Sequence, residues 1–249
     1  MTTIPRYLDP RNDIPFKKVF GQHKHLCISL LNSLLPLEGR EIIEIEYLPL
    51  ASLPRIDSFR TSILDVRCED STGRQFLVEM QMYWSDSFTN RVTFNASKAY
   101  IAQFDKEDLK NKVDEMGKTK PYLRKNIYKD IQPVYSLNLI NDSFENTPEM
   151  AKEYYHHYAV VNLQHTEKRI EGLELIFVEL PKFKPSGRGE RKLHESWLRY
   201  FQAAAALAAE QAAAAEAKRA TARTLRAAEV SAEVIAQSTG LDAAEIAKL

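Results

Sequence analysis

The sequence predicts an α/β protein: a mixed central β-sheet flanked by helices, followed by a small all-helical C-terminal tail. Three observations carry that reading. Residues 62–82, SILDVRCEDSTGRQFLVEMQM, run and break as a β-hairpin does. Apolar residues at helical spacing stand before and after further strand-like runs, giving the order α, β, β-hairpin, α, β, β, β, α, which suits a sheet covered by helices. From Gln202 the composition changes abruptly to AAAALAAEQAAAAEAKRA, a run of high helix propensity with almost no large side chain.

Taken in order, residues 5–10 are an extended lead-in. Helices are predicted over 13–20, through Ile14, Phe16, Val19 and Phe20, and over 23–35, through Leu26, Ile28, Leu30, Leu31 and Leu34. Asp13 opens the first helix, where its residue type reads as a cap or first-turn acid. Residues 42–48 supply a strand and 50–60 a loop.

In the hairpin, strands over 63–68 and 75–82 flank the polar break EDSTGR. With the turn centred near Thr72, Asp65 falls opposite Glu79 and Gln81 shares their face, while Leu64, Val66, Val78, Met80 and Met82 take the other. Opposed carboxylates with Cβ atoms about 4.5–5.5 Å apart repel unless a cation or a proton sits between them. That is a hard-metal site in outline, although the solvated face of a half-exposed sheet alternates in the same way.

Residues 88–106 return to helical spacing through Val92, Phe94, Ala96, Ala99, Tyr100 and Ala102, predicting a helix on the apolar face of the hairpin. Residues 109–129 interleave Lys110, Lys112, Lys118, Lys120, Arg124, Lys125 and Lys129 with Tyr122 and Tyr128, a pattern that suits phosphate and base contacts as well as a plain solvated surface. Strands follow over 133–140, 158–163 and 173–180, the last two separated by the polar run HTEKR. His156, His157 and His165 lack the spacing of a metal cluster and read as structural. Residues 193–201, with Trp197, begin another helix.

In the tail, Gly240 ends one helix and Asp242 with Glu245 caps the next reciprocally. Leu225, Val230, Val234, Ile235, Leu241, Ile246 and Leu249 sit on helices too short to bury them alone, which predicts self-association, a homodimer formed through the tail. The expected division is a domain over 1–202, an alanine-rich helical linker over 203–220 and the tail over 221–249.

Composition narrows the function. In 249 residues, 34 basic side chains balance 34 acidic ones, so attraction to nucleic acid must come from local patches and not from a global field. Cys27 and Cys68 are too few for a zinc site and read as reduced core cysteines. No apolar run approaches the roughly 20 residues of a membrane span, which leaves a cytoplasmic protein as the expectation.

Asp65, separated by thirteen residues from Glu79-Met80-Gln81 and preceded by a helix that opens with Asn12-Asp13 and continues to Phe16-Lys17, resembles the recombination-promoting nuclease and transposase family of the PD-(D/E)XK superfamily. In that family the last motif residue is commonly Gln in place of Lys, as at Gln81. The resemblance extends to the tail, whose Thr239-Gly240-Leu241 followed by Glu245-Ile246 is similar to the family's helical ending. It implies a restriction-endonuclease-like core and a metal-dependent DNA endonuclease of transposase or recombination type. By the same resemblance Mg²⁺, with Mn²⁺ or Ca²⁺ as alternatives, would be held by Asp65, Glu79 and the Met80 carbonyl. Gln81 would orient water or phosphate, Asp13 would add a third acid, and Lys17, Arg91, Lys118, Lys120, Arg124 and Lys125 would contact nucleic acid. The rival expectation is a nuclease-fold accessory protein that binds DNA or protein without cleaving.

Overall fold

A computed structural model describes residues 8–49, 64–105, 127–144, 147–185 and 193–249. Pro10–Phe201 forms one compact unit, and Gln202–Leu249 belongs to a second.

The first unit is built on a six-stranded mixed sheet. Its strands are β1 (Ile45–Tyr47), β2 (Val66–Asp70), β3 (Gln75–Gln81), β4 (Val134–Ile140), β5 (Tyr155–Asn162) and β6 (His165–Glu179), in the spatial order β1-β2-β3-β4-β6-β5. The pairs β1·β2, β2·β3 and β5·β6 are antiparallel, while β3·β4 and β4·β6 are parallel. Parallel neighbours need a crossover. Between β3 and β4 the chain provides α3 (Phe88–Ala102).

Both faces of the sheet are covered, so its central strands are buried nearly throughout. On one face lie α1 (Asp13–Gln22), α2 (Lys24–Leu34) and the first turns of α4 (Leu193–Ala227). Phe16, Phe20, Cys27, Leu30, Leu31, Leu198 and Phe201 pack there against Val66, Cys68, Val78, Met80, Leu137 and Val178. Phe16 and Phe20, one helical turn apart, place their rings 4.7 Å from each other, and Trp197 donates Nε1–H to Ser29 Oγ at 3.1 Å. Cys27 and Cys68 are both buried and free.

The other face is covered by α3, which corrects the sequence-based expectation. Ala96 and Ala99 pack with Leu64, Leu77 and Val134, and Phe88 and Val92 pack with Ile140 and Phe177. The helix therefore lies on the face of Leu77 and Glu79, not on the face of Val78 and Met80. Where helices cover both sides of the β2–β3 hairpin neither face is the solvated one, and hairpin alternation alone cannot say which side the crossover takes.

The turn of the β2–β3 hairpin is held by one carboxylate. Asp70 Oδ1 accepts from the N–H of Thr72 (3.0 Å) and of Arg74 (3.1 Å), and Asp70 Oδ2 takes the Arg74 guanidinium at 2.7 Å. Gly73 supplies the φ of 87° that the turn requires. This fixes the register Glu69↔Gln75, Cys68↔Phe76, Arg67↔Leu77 and Val66↔Val78. One residue further, Asp65 and Glu79 come into line.

A second correction concerns the run HTEKR. His165 to Arg169 is not a separating loop but the first part of the fifteen-residue strand β6, joined to β5 by a tight turn in which Asn162 Oδ1 accepts from the N–H of Gln164 and His165. The outer half of this hairpin is solvated on both sides, so its residues never alternate in polarity. Strand β5 also begins three residues earlier than expected, at Tyr155.

In the second unit α4 continues through the alanine tract without a break and is followed by α5 (Ala232–Thr239) and α6 (Ala243–Ala247). Gly240, at φ 70°, ends α5 in the left-handed conformation, and the Asp242–Glu245 capping box opens α6, both as expected from sequence. Ile235, Leu241 and Ile246 close on Ala222 and Leu225 at the end of α4.

Candidate active site

Asp65 stands at a bend just before β2, where the regular alternation breaks. Val66 joins the face of α1 and α2, whereas Leu64, expected beside it, packs under α3 with Leu77. Where the ladder stops, the Asp65 side chain takes over as acceptor, and Met80 N–H donates to Asp65 Oδ2 at 2.7 Å. The main-chain contribution of Met80 that the structure records is this N–H.

Two helices bring cations to the two carboxylates. From α1, Lys17 reaches 3.4 Å from Asp65 Oδ1 and also pairs with Asp13 one turn back. From α3, Arg91 Nη2 donates to Glu79 Oε1 and to Gln81 Oε1, each at 2.7 Å, while its guanidinium lies over the Phe88 ring at 4.8 Å. Both acids are nearly enclosed, their side chains 7% (Asp65) and 8% (Glu79) exposed. Gln81 Nε2 turns to the Tyr83 carbonyl.

The electrostatics follow from that enclosure. Burial pushes Asp65 up to about 7, against the lowering effect of the Met80 N–H, with the adjoining Asp13 carboxyl and the charge of Glu79 adding to the rise. Burial also raises Glu79, although Arg91 opposes it. Asp13, mostly in solvent, is held low by its bond to Lys17. Burial works against the charge on Lys17, but the bond to Asp13 and the charges of Asp65 and Asp13 outweigh it, so its ammonium is strengthened.

The residues singled out from sequence, Asp13, Lys17, Asp65, Glu79, Met80, Gln81 and Arg91, thus meet at one end of the hairpin. Lys118, Lys120, Arg124 and Lys125 lie outside the described residues. Sequence reasoning missed the clasp that closes this end of the sheet: Asn141 N–H donates to the Gln81 carbonyl at 2.8 Å, and Arg11, ahead of α1, binds the Asn141 side chain. Residues 130 apart in sequence leave no local signal of such a bond. The three histidines sit elsewhere: His156 and His157 bond Glu179 and Glu174, and His165 pairs with Glu167.

The donor set fits a hard divalent cation. Desolvation of the two buried carboxylates outweighs the opposing effect of Lys17 and Arg91, and oxygen donors suit Mg²⁺ or Ca²⁺. Among the described residues no three acidic, histidine or cysteine side chains converge on one point, so an ion here would rest on the carboxylate pair plus main chain and water.

A mixed sheet flanked by helices, with two buried acids at the end of its central hairpin, is the restriction-endonuclease-like fold of the PD-(D/E)XK nucleases. The model of the PD-(D/E)XK nuclease family transposase matches residues 10–239, and the chain belongs to that family. No curated protein and no solved structure matches the chain. PD-(D/E)XK nucleases generally use divalent metal ions. Among the described residues no helix is long and apolar enough to cross a membrane.

Proposed function

We propose that the protein is a metal-dependent endonuclease that hydrolyses phosphodiester bonds in DNA, in a transposition or recombination setting. The observation that carries this reading is the pair Asp65 and Glu79, two enclosed carboxylates brought into line by the hairpin register and both shifted toward protonation. Asp65, Glu79 and the Met80 carbonyl would hold Mg²⁺, or Mn²⁺ in its place. Bound there, the ion would supply a Lewis acid for the phosphate and lower the pKa of a coordinated water.

The chain's own groups do the rest. Arg91, already fixed by Glu79, Gln81 and the Phe88 ring, can offer its remaining donors to a phosphate oxygen as a planar cation. Gln81 can orient a water or a phosphate by hydrogen bonding, but a neutral amide stabilises developing charge less than a lysine would. Slow turnover follows from that substitution. The basic run over 109–129 is the proposed nucleic-acid contact.

The test is nicking of supercoiled plasmid by the purified protein across Mg²⁺, Mn²⁺ and Ca²⁺. Glu79→Ala should abolish nicking while circular dichroism stays that of the parent. Equal nicking by parent and variant would end the proposal. One observation favours the rival, an accessory protein that binds without cleaving: both carboxylates are already occupied by the protein's own cations. It predicts plasmid binding with no nicking in any metal.

Self-association through the tail belongs to the same proposal. Its support is Val234 on α5, 48% exposed. Two copies would present two sites to two strands.

A further inference from the structure

Lys17 is shared between two carboxylates. Its Nζ pairs with Asp13 on the same helix and stands 3.4 Å from Asp65 Oδ1 across the hairpin. The two acids are unlike: the Asp13 side chain is 65% exposed and the Asp65 side chain 7%. A lysine ammonium is a compact charge on a flexible stem, able to swing between such partners. Arg91 is not free to swing in this way, because Glu79, Gln81 and the Phe88 ring all hold it.

A divalent cation that takes Asp65 meets this ammonium. Two like charges a few ångströms apart at a partly screened site repel, so ion and ammonium exclude each other from Asp65. We infer that Lys17 is the resident counter-ion of Asp65, displaced when a divalent cation binds, and that Asp13 receives it. Asp13 then acts on metal binding as a positioning residue through Lys17, and not as a ligand of the ion. This rests on the metal-site reading above and gives it a regulated form: the chain carries its own competitor for the site, with a second carboxylate that lowers the barrier to release.

The arithmetic is that of a site only fractionally open. Affinity is reduced by the fraction of molecules in which Asp65 is clear of the ammonium. Removing Lys17 opens every molecule. Removing Asp13 leaves the ammonium with Asp65 alone. If Asp13 were instead a third ligand, its loss would weaken binding whether or not Lys17 were present.

Calorimetric titration of Mn²⁺ into the metal-free full-length protein, without nucleic acid, separates these cases. The variants are Lys17→Met, Lys17→Arg, Asp13→Asn and the double variant Lys17→Met with Asp13→Asn. Lys17→Met should tighten Mn²⁺ binding about tenfold, the scale of one partly screened charge pair. Lys17→Arg should stay near the parent, and Asp13→Asn should weaken binding severalfold. In the Lys17→Met background, Asp13→Asn should change nothing, since a double-variant cycle reports the coupling directly. Thermal melts of the metal-free variants confirm that each is folded.

Uptake by Lys17→Met alone, with none by the parent, also supports the inference. Unchanged or weaker binding by Lys17→Met overturns it while leaving the metal site intact, as does an equal loss from Asp13→Asn in both backgrounds. If no variant and not the parent takes up Mn²⁺, the metal-site reading itself falls, and the inference with it.

Discussion

Asp65 is the residue at which folding and the proposed function pull in opposite directions. A carboxylate moved from water into a closed pocket is easier to protonate, and burial takes this one from 3.8 to about 7. The folded protein therefore holds a proton on Asp65 through a pH range in which the unfolded chain has lost it. Stability from this group is present below pH 4 and is lost as pH rises through 7. An Asn can accept the same Met80 N–H without the charge. Asp65→Asn should therefore melt higher than the parent at pH 8 in metal-free buffer. The difference, on the order of 1.4 kcal/mol for each pH unit by which burial raises the carboxyl, should vanish below pH 4. Melting curves at several pH values measure it; a variant less stable than the parent at pH 8 would contradict the buried-charge account. Adding a divalent ion should reverse the order, because only the parent keeps the carboxylate that the ion would bind. Of these properties, the sequence carried the identity and register of Asp65 and Glu79. It did not carry their enclosure, which depends on Lys17 and Arg91 arriving from two helices on opposite faces of the sheet.

At the scale of the element, the hairpin turn decides whether the two acids of the proposed site come into line. Asp70 binds two backbone N–H groups and the buried Arg74 guanidinium, and that cluster sets the register that brings Asp65 into line with Glu79. Asp70→Ala strands a guanidinium that is only 5% exposed, a loss of about 3–5 kcal/mol for a broken buried pair. The melting temperature should fall by roughly 2–4 °C for each kcal/mol. Metal uptake should fall with it, even well below the melt, because a shifted register separates the two acids. Retained Mn²⁺ binding by a folded Asp70→Ala protein would detach the site from the turn. The hairpin was legible because turn chemistry and two-residue alternation are local. The face chosen by α3 was not, because it follows from the path of the crossover. The outer part of β6 was hidden for a related reason: His165 and Arg169 pair across a hairpin with water on both sides, and nothing apolar marks the run between them.

For the whole molecule, the open matter is what the second unit does. Alanine needs no packing partner to be helical, and α4 accordingly runs from Leu193 to Ala227 through a tract that offers few contacts. The sequence marked the tail's apolar residues but placed them against another copy. The structure instead gives Ile235, Leu241 and Ile246 a wall made by Ala222 and Leu225, on the last turns of α4 itself. A core of so few side chains is marginal alone, since units of this size bury too small a share of their surface. Self-association would add to it through the exposed Val234. Cutting the chain after Gln202 keeps Leu198 and Phe201, which pack on the sheet with Phe16 and Phe20, and removes the tail core completely. The truncated protein should fold, take up Mn²⁺ like the parent and sediment as a monomer. The full chain should sediment as a dimer at tens of micromolar and revert toward monomer with Val234→Glu, which places a charge on the exposed position without entering the tail core. Two monomers in sedimentation would rule out the tail as an association arm, leaving its core as a closed appendage. Loss of Mn²⁺ uptake on truncation would mean that the site depends on the second unit.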